Sequence, residues 1–163
     1  MLALTLAALA VPAGGGIAAA ASLRPTLQLA ASVSEDSPQA RVLALVNAAR
    51  ADHGLAPLAD NAALTRAAQS YAETMASTDC FSHSCGPVPD MVQRAEQAGY
   101  SPWTALGENI AAGYRTPEEV VAAWLESPGH RANILNDNFR DSGVGVAYGG
   151  RYGIYWVHEF GAQ

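Results

Sequence analysis

Near its carboxyl end the chain alternates apolar residues with small or polar ones at a period of two. The alternating positions, with two glycines between them, are Val144, Val146, Tyr148, Gly149-Gly150, Tyr152, Ile154 and Trp156. Such alternation buries one face of a strand, and paired glycines can take the positive φ of a tight turn. These residues predict a hairpin, and a hairpin with an apolar face needs another layer of structure to cover it.

The earlier part of the chain shows helical periodicity instead. We predict four helices: one that Ser37 caps and Gly54 ends, one from near Asp60 whose inward stripe reaches Met75, one between Pro87 and Gly99, and one that Thr116 caps and that runs through Trp124. A short strand near residues 108–112 would join the hairpin. Helices first and a hairpin last favour an α+β fold over a βαβ repeat.

Length and charge limit the class of protein. The 163 residues, 50% of them hydrophobic, suit one globular domain. The formal net charge is −6, the sequence pI is about 5.0, and the basic residues are scattered. Binding to nucleic acid requires a basic patch that neutralises phosphates, so we expect no nucleic acid partner.

The amino-terminal segment is typical of export. Residues 1–23 carry no charge, and their Leu/Ala-rich run ends in small residues before Ser22. We predict a signal peptide over residues 1–21, a flexible leader over 22–39 and one domain over 40–163. Two alternatives stay open. The segment could be an uncleaved membrane anchor. It also lacks the basic residues that usually begin a signal peptide, so the true start could lie further upstream. After cleavage we expect a monomer without a membrane span, secreted or periplasmic.

Two cysteines, Cys80 and Cys85, flank His83. In an exported protein an even cysteine count indicates a disulfide, which here would close a very small loop and restrict the segment that presents His83. Two alternatives stay open at this stage. Cys80, His83 and Cys85 could together bind a metal, or both thiols could be free.

Three short segments each present one titratable side chain beside glycine or serine. They are Phe81-Ser82-His83-Ser84, Gly107-Glu108-Asn109-Ile110 and Ser127-Pro128-Gly129-His130-Arg131. A fold that brings His83, Glu108 and His130 together would create a cluster able to bind a divalent metal or to move protons. Glu108 leads into an apolar stretch, so its carboxylate must pair, hydrogen-bond or protonate. Structural pairing with an arginine is the alternative to a role in a cleft.

Seven ordered segments spanning residues 41–161 resemble the bacterial, SCP-like branch of the CAP superfamily, which joins cysteine-rich secretory, antigen 5 and pathogenesis-related proteins. The segments are residues 45–50, 54–58, 81–83, 107–113, 124 with 127–135, 143–147, and 155–156 with 160–161. The resemblance implies a three-layer α-β-α sandwich with a small, mainly antiparallel sheet. It also implies a polar cavity lined by His83, Glu108 and His130.

Two positions depart from the pattern of the superfamily. Ser127 stands where animal and plant members have a second cavity glutamate, which weakens any mechanism that needs two carboxylates. His158 stands where relatives usually have glutamine. If His158 points into the same cleft, strand alternation makes Glu159 face the other way.

These observations support three functions. The first is a secreted binding module whose His-Glu-His cleft takes zinc (Zn²⁺); the resemblance to the superfamily implies an extracellular ligand such as a lipid or a cell-wall component. The second is a zinc-dependent hydrolase in which His83 and His130 hold the metal, with His158 as a further candidate ligand, and Glu108 activates water. The third is a structural extracellular domain. The chain contains no Gly-x-Ser-x-Gly elbow and no His-Glu-x-x-His helix.

Overall fold

A computed structural model describes residues 36–163 of the chain. The predicted signal peptide and most of the predicted leader therefore lie outside the described residues. The helices are α1 (Pro38–Asp52), α2 (Ala62–Thr78), α3 (Met91–Gln97), α4 (Pro117–Glu126) and α5 (Pro128–Ile134). The strands are β1 (Ala59–Asp60), β2 (Ala105–Ala112), β3 (Asp141–Gly149) and β4 (Gly153–Ala162).

The four strands form one sheet in the order β1-β3-β4-β2. Strand β4 pairs antiparallel with both β3 and β2, whereas β1 pairs parallel with β3 over two residues. The predicted hairpin is thus confirmed as β3 and β4, and Gly150 in its turn has a φ of +58°. The predicted mainly antiparallel sheet is confirmed too. The short parallel strand β1 has no period-two signal and was not predicted.

Helices cover both faces of the sheet. Helix α2 packs on the face that carries Ala147, Tyr155 and Val157, while α1, α4 and α5 pack on the face that carries Val146 and Trp156. The predicted three-layer α-β-α sandwich is therefore confirmed.

Two glycines let α2 lie directly on β3. A Cβ at Gly143 would lie 2.1 Å from the backbone carbon of Leu64, and one at Gly145 would lie 2.3 Å from that of Ala68. No side chain fits in either place, because the helix backbone occupies it. This close approach brings the α2 side of the sheet, and the polar groups on it, near the helix.

Helix starts follow the predicted caps. The Ser37 hydroxyl accepts the Ala40 N–H at 3.1 Å, and the Thr116 hydroxyl accepts the Glu119 N–H at 3.1 Å. Helix α2 starts at Ala62 after the N-cap Asn61, close to the predicted Asp60, and α4 continues past Trp124 to Glu126. Helix α5 is too short to show periodicity in the sequence.

Side chains cover the two exposed flanks of the sheet. On the outer side of β2, the Trp124 indole donates to the Ile110 carbonyl at 3.2 Å, and the Asn133 amide donates to the Glu108 carbonyl at 3.1 Å. On the outer side of β3, the Gln69 amide both donates to and accepts from the backbone of Val146. These bonds satisfy edge groups that would otherwise pair with another strand, and Asn133 fixes the backbone of Glu108.

Candidate polar cleft

Glu108 is the centre of the polar cluster on the α2 side of the sheet. It lies in the middle of β2, and only 2% of its side chain is exposed. Its Oε1 atom lies 2.6 Å from His83 Nδ1, and its Oε2 atom accepts a hydrogen bond from Arg94. Glu108 therefore contacts a histidine and also pairs with an arginine, and its role in a binding cleft stays a prediction.

His83 lies in the loop that the Cys80–Cys85 disulfide closes. This pairing confirms the predicted bridge and leaves no thiol for a metal site of Cys80, His83 and Cys85. The Tyr71 hydroxyl donates to the Ser82 carbonyl at 2.6 Å and fixes the loop against α2. The His83 side chain is 58% exposed, and its hydrogen bond to Glu108 raises the pKa of the imidazole. With Nδ1 engaged, Nε2 is the nitrogen that His83 can offer to a ligand.

His130 lies in the first turn of α5, and its imidazole is half-buried. The Asn109 amide donates to the backbone carbonyl of His130 at 3.1 Å, and the Asn133 amide donates to Asn109 Oδ1 at 2.9 Å. Burial, followed by the charge of His83, lowers the pKa of the His130 imidazole. Both causes favour the neutral form of the His130 imidazole.

Arg94 joins the cluster from α3, although the sequence had not suggested a role for it. Its side chain is 6% exposed, and its guanidinium carbon lies 3.5 Å from the centre of the Tyr71 ring. The guanidinium also donates to the Pro89 carbonyl at 2.9 Å. A nitrogen of the same group lies 3.6 Å from Glu159 Oε1, so one cation faces both Glu108 and Glu159.

Glu159 is completely buried, and neither of its carboxyl oxygens has a hydrogen-bond partner among the described residues. Burial first, and the neighbouring Glu108 second, raise the pKa of the Glu159 carboxyl well above its ordinary value. Two carboxylates beside one cation cannot both ionise at low cost, because they repel each other in a poorly solvated place. Burial and the neighbouring Glu108 therefore favour the protonated form of Glu159.

The expectation that His158 faces this cleft is wrong. Glu108 pairs with Glu159 across β2 and β4, which puts both carboxyls on one face, and His158 pairs with Asn109 on the other. The His158 ring is completely buried, 3.9 Å from the Phe160 ring and 2.7 Å from the Ser142 hydroxyl. Burial lowers its pKa to about 3, so it is a neutral packing residue.

One sequence signal could have indicated that Glu108 and Glu159 need a charged partner. Glu108 and Glu159 both stand in apolar strands, and two buried carboxylates on adjacent strands require a cation or a proton. The choice of Arg94 has no local signature, because it depends on how α3 packs and not on any spacing.

A cavity of about 340 Å³ opens beside His83 and Glu108, and Asp90, Met91 and Gly107 are among the residues that line it. Within residues 36–163 there is no group of three or more His, Cys, Asp or Glu side chains that could hold a metal ion. Both oxygens of Glu108 are engaged by His83 and Arg94. Glu108 therefore lies behind one imidazole, that of His83, and a metal site shared with His130 stays a prediction.

Comparison with known proteins places this chain in a family. Residues 43–160 match CAP, the cysteine-rich secretory protein family, so the chain belongs to that family. It is 40% identical over 120 residues to the uncharacterized protein YkwD of Bacillus subtilis (strain 168), covering 74% of this chain and 45% of that protein.

Solved structures agree with this assignment. An extracellular SCP-domain protein from Bacillus anthracis superposes with a TM-score of 0.70 at 27% identity, covering 77% of this chain and 40% of that one. An outer surface protein of Borrelia burgdorferi has a TM-score of 0.71 at 21% identity, covering 80% of this chain and 96% of its own, and shares the fold. The chain spans less than half the length of both Bacillus relatives. Among the described residues no helix is long and apolar enough to cross a membrane.

Proposed function

We propose that this chain is a binding module that acts outside the cytoplasm and that its cleft takes a divalent metal, zinc, on His83 and His130. The observation that carries the proposal is the 2.6 Å contact between His83 Nδ1 and Glu108 Oε1. A carboxylate that holds one ring nitrogen of a histidine fixes its tautomer and orients the other nitrogen for a metal. The extracellular location is supported by family membership and by the extracellular SCP-domain protein of Bacillus anthracis.

The proposed site would be open. Zinc prefers four ligands, and here the protein offers two imidazoles, of which His83 must release its proton to bind the ion, so water or an oxygen of a bound molecule completes the set. When bound, zinc supplies a Lewis-acid centre to which an anionic or carbonyl oxygen can attach. Affinity should be lower than in structural zinc sites, where four protein ligands surround the ion.

The arrangement favours binding over hydrolysis. A hydrolase would need Glu108 to accept a proton from water, and a general base must lie within hydrogen-bond reach of that water. Glu108 is 2% exposed, and its two oxygens are engaged by His83 and Arg94. Its role in this proposal is to orient His83, and the buried Arg94 holds it there.

Calorimetric titration of the full chain with zinc at pH 7.5 tests the proposal. We expect 1:1 binding that His83→Ala or His130→Ala weakens by about tenfold or more, and that Glu108→Gln weakens less. The matched control is His53→Ala, because His53 lies at the end of α1 and contacts the Ala49 carbonyl and Arg131. Parental affinity in both cleft variants would refute the proposal.

A further inference from the structure

The exposed large apolar side chains of the described part gather in one place. They are Phe81, Tyr114, Tyr148 and Tyr152, with exposures of 44%, 39%, 72% and 45%. Tyr148 and Tyr152 flank the β3–β4 turn, the Phe81 ring lies 5.8 Å from that of Tyr152, and Tyr114 follows Gly113 at the end of β2. Single exposed apolar residues are ordinary, but a cluster of four marks a binding surface.

Tyr148 and Tyr152 line a cavity of about 380 Å³, and we call this cavity the tyrosine pocket. Its lining residues are Gly113, Arg115, Tyr148, Tyr152, Gly153 and Ile154. Its walls are held in position, since the Tyr152 ring also packs edge-on against Tyr155 at 5.8 Å and Trp156 donates to the Tyr114 carbonyl at 2.8 Å. A ligand would therefore meet one aromatic face, that of Tyr152, that needs little ordering on binding, and a second on the more exposed Tyr148.

The charge in the pocket comes from Arg115. Its guanidinium has no hydrogen bond or ion pair among residues 36–163, although its backbone N–H donates to Glu119. The nearby Arg151 differs, because it is bound to Asp79 through three contacts. A free guanidinium offers a planar fork of donors that matches a carboxylate.

We propose that the tyrosine pocket binds a carboxylate-bearing polysaccharide. The C–H faces of a pyranose ring pack on flat aromatic faces, the tyrosine hydroxyls remain free for sugar hydroxyls, and the carboxylate of a uronic acid binds the Arg115 fork. A lipid tail would need a more apolar lining than Arg115 and two glycine backbones provide.

The test is calorimetric titration of the full chain with oligogalacturonate at about 0.15 M salt. We expect saturable binding that Tyr148→Ala weakens by about tenfold or more, because a stacking face is lost, and that Tyr148→Phe largely preserves. Arg115→Gln should weaken binding by a similar factor and remove the preference for the free acid over its methyl ester. Arg66→Gln is the control, since it removes an exposed arginine that lies on another surface, between α2 and α3.

Tyr148 is 72% exposed and Arg115 is exposed, so each variant should fold, and circular dichroism verifies this. The proposal is overturned if the parent binds no oligogalacturonate, if it binds the methyl ester equally well, or if both variants bind like the parent. It is also overturned if vesicles of anionic phospholipid bind through Tyr148 and the oligosaccharide does not. Zinc titration of Tyr148→Ala should match the parent, so failure here is distinguishable from failure of the zinc site.

Discussion

His158 and Glu159 are neighbours in β4 and are both completely buried, but they lie on opposite faces of the sheet. His158 faces the α1, α4 and α5 layer, where its Nε2 atom contacts the Ser142 hydroxyl and its ring packs on aromatic rings, while its Nδ1 atom has no hydrogen-bond partner among the described residues. Glu159 faces α2 and α3, where its carboxyl has no hydrogen bond and shares Arg94 with Glu108. Each face keeps a buried polar group without a hydrogen-bond partner, Nδ1 of His158 on one and the carboxyl of Glu159 on the other, but only Glu159 lies next to the cluster beside an open cleft. Unsatisfied polar groups of this kind are typical of functional sites.

The largest expected effect on stability comes from removing Arg94, the cation that faces both Glu108 and Glu159. Arg94→Met should reduce the free energy of unfolding by about 3–5 kcal/mol, because it leaves two buried carboxyls without their counter-charge. Chemical denaturation at pH 7 measures the loss. Adding Glu159→Gln to the same variant should restore part of it, since one acid is then gone. A loss below about 1 kcal/mol, as expected of the exposed Arg66→Met, would contradict the account.

The packing histidine should make the protein sensitive to acid. The pKa of His158 is about 3 when folded, below its ordinary value, so the unfolded chain takes up the proton first as pH falls. Stability is therefore lost from about pH 6.5 downwards, by at most about 1.4 kcal/mol per pH unit for this group.

Replacing His158 with phenylalanine tests that linkage. His158→Phe should cost about 1–2 kcal/mol at pH 7, because the Ser142 hydroxyl loses its partner, and should flatten the decline between about pH 6.5 and 4.5. Denaturant unfolding at several pH values measures both effects. A decline as steep as that of the parent would show that His158 is not the group that titrates.

On the other face of the sheet, the dependence of stability on pH has the opposite sign. The pKa of Glu159 is raised, so the folded chain keeps a proton that the unfolded chain releases, and stability falls as pH rises above about 4.5. Glu159→Gln keeps the shape and supplies an N–H that can donate to Glu108. We expect it to be about 1–3 kcal/mol more stable than the parent at pH 8 and nearly equal to it at pH 4.5. A variant less stable than the parent at pH 8 would mean that Glu159 is ionised and paired.

The smallest effect concerns His83. Glu108→Gln should lower the pKa of the His83 imidazole towards its ordinary value, because the hydrogen bond to a carboxylate is what raises it. Nuclear magnetic resonance of the ring protons measures the change. Glu118→Gln, an exposed glutamate paired with Arg41, should leave the titration of His83 as it was. Equal shifts in both variants would indicate a general charge effect instead.

Much of the fold was predictable because its signals are local. Ser37 and Thr116 cap helices through bonds to residues three positions on, and the glycine turn at Gly149-Gly150 joins two alternating strands. The disulfide between Cys80 and Cys85 depends on a spacing of five residues.

The match to the family segments also predicted which residues belong to the cleft. His83 lies in contact with Glu108, and the next residue of the strand, Asn109, donates to the backbone of His130. That the two histidines share a zinc ion stays a prediction.

The remainder of the cleft was not predictable, because it depends on register and packing. Alternation shows that His158 and Glu159 face opposite ways, but only the pairing of β4 with β2 decides which of them joins Glu108. Arg94 reaches Glu159 from a separate helix, and no spacing in the sequence encodes that contact.

The most direct measurement is a pH titration of the four histidine rings by nuclear magnetic resonance, without and with zinc. The account predicts that the pKa of His83 lies above and that of His130 below the ordinary value, and that His158 stays neutral down to about pH 3. At pH 7.5, zinc should move the signals of His83 and His130 and leave those of His53 and His158 in place. If His158 titrates near its ordinary pKa of about 6.5, or if zinc moves neither cleft ring, the division into a packing face and a binding face is wrong.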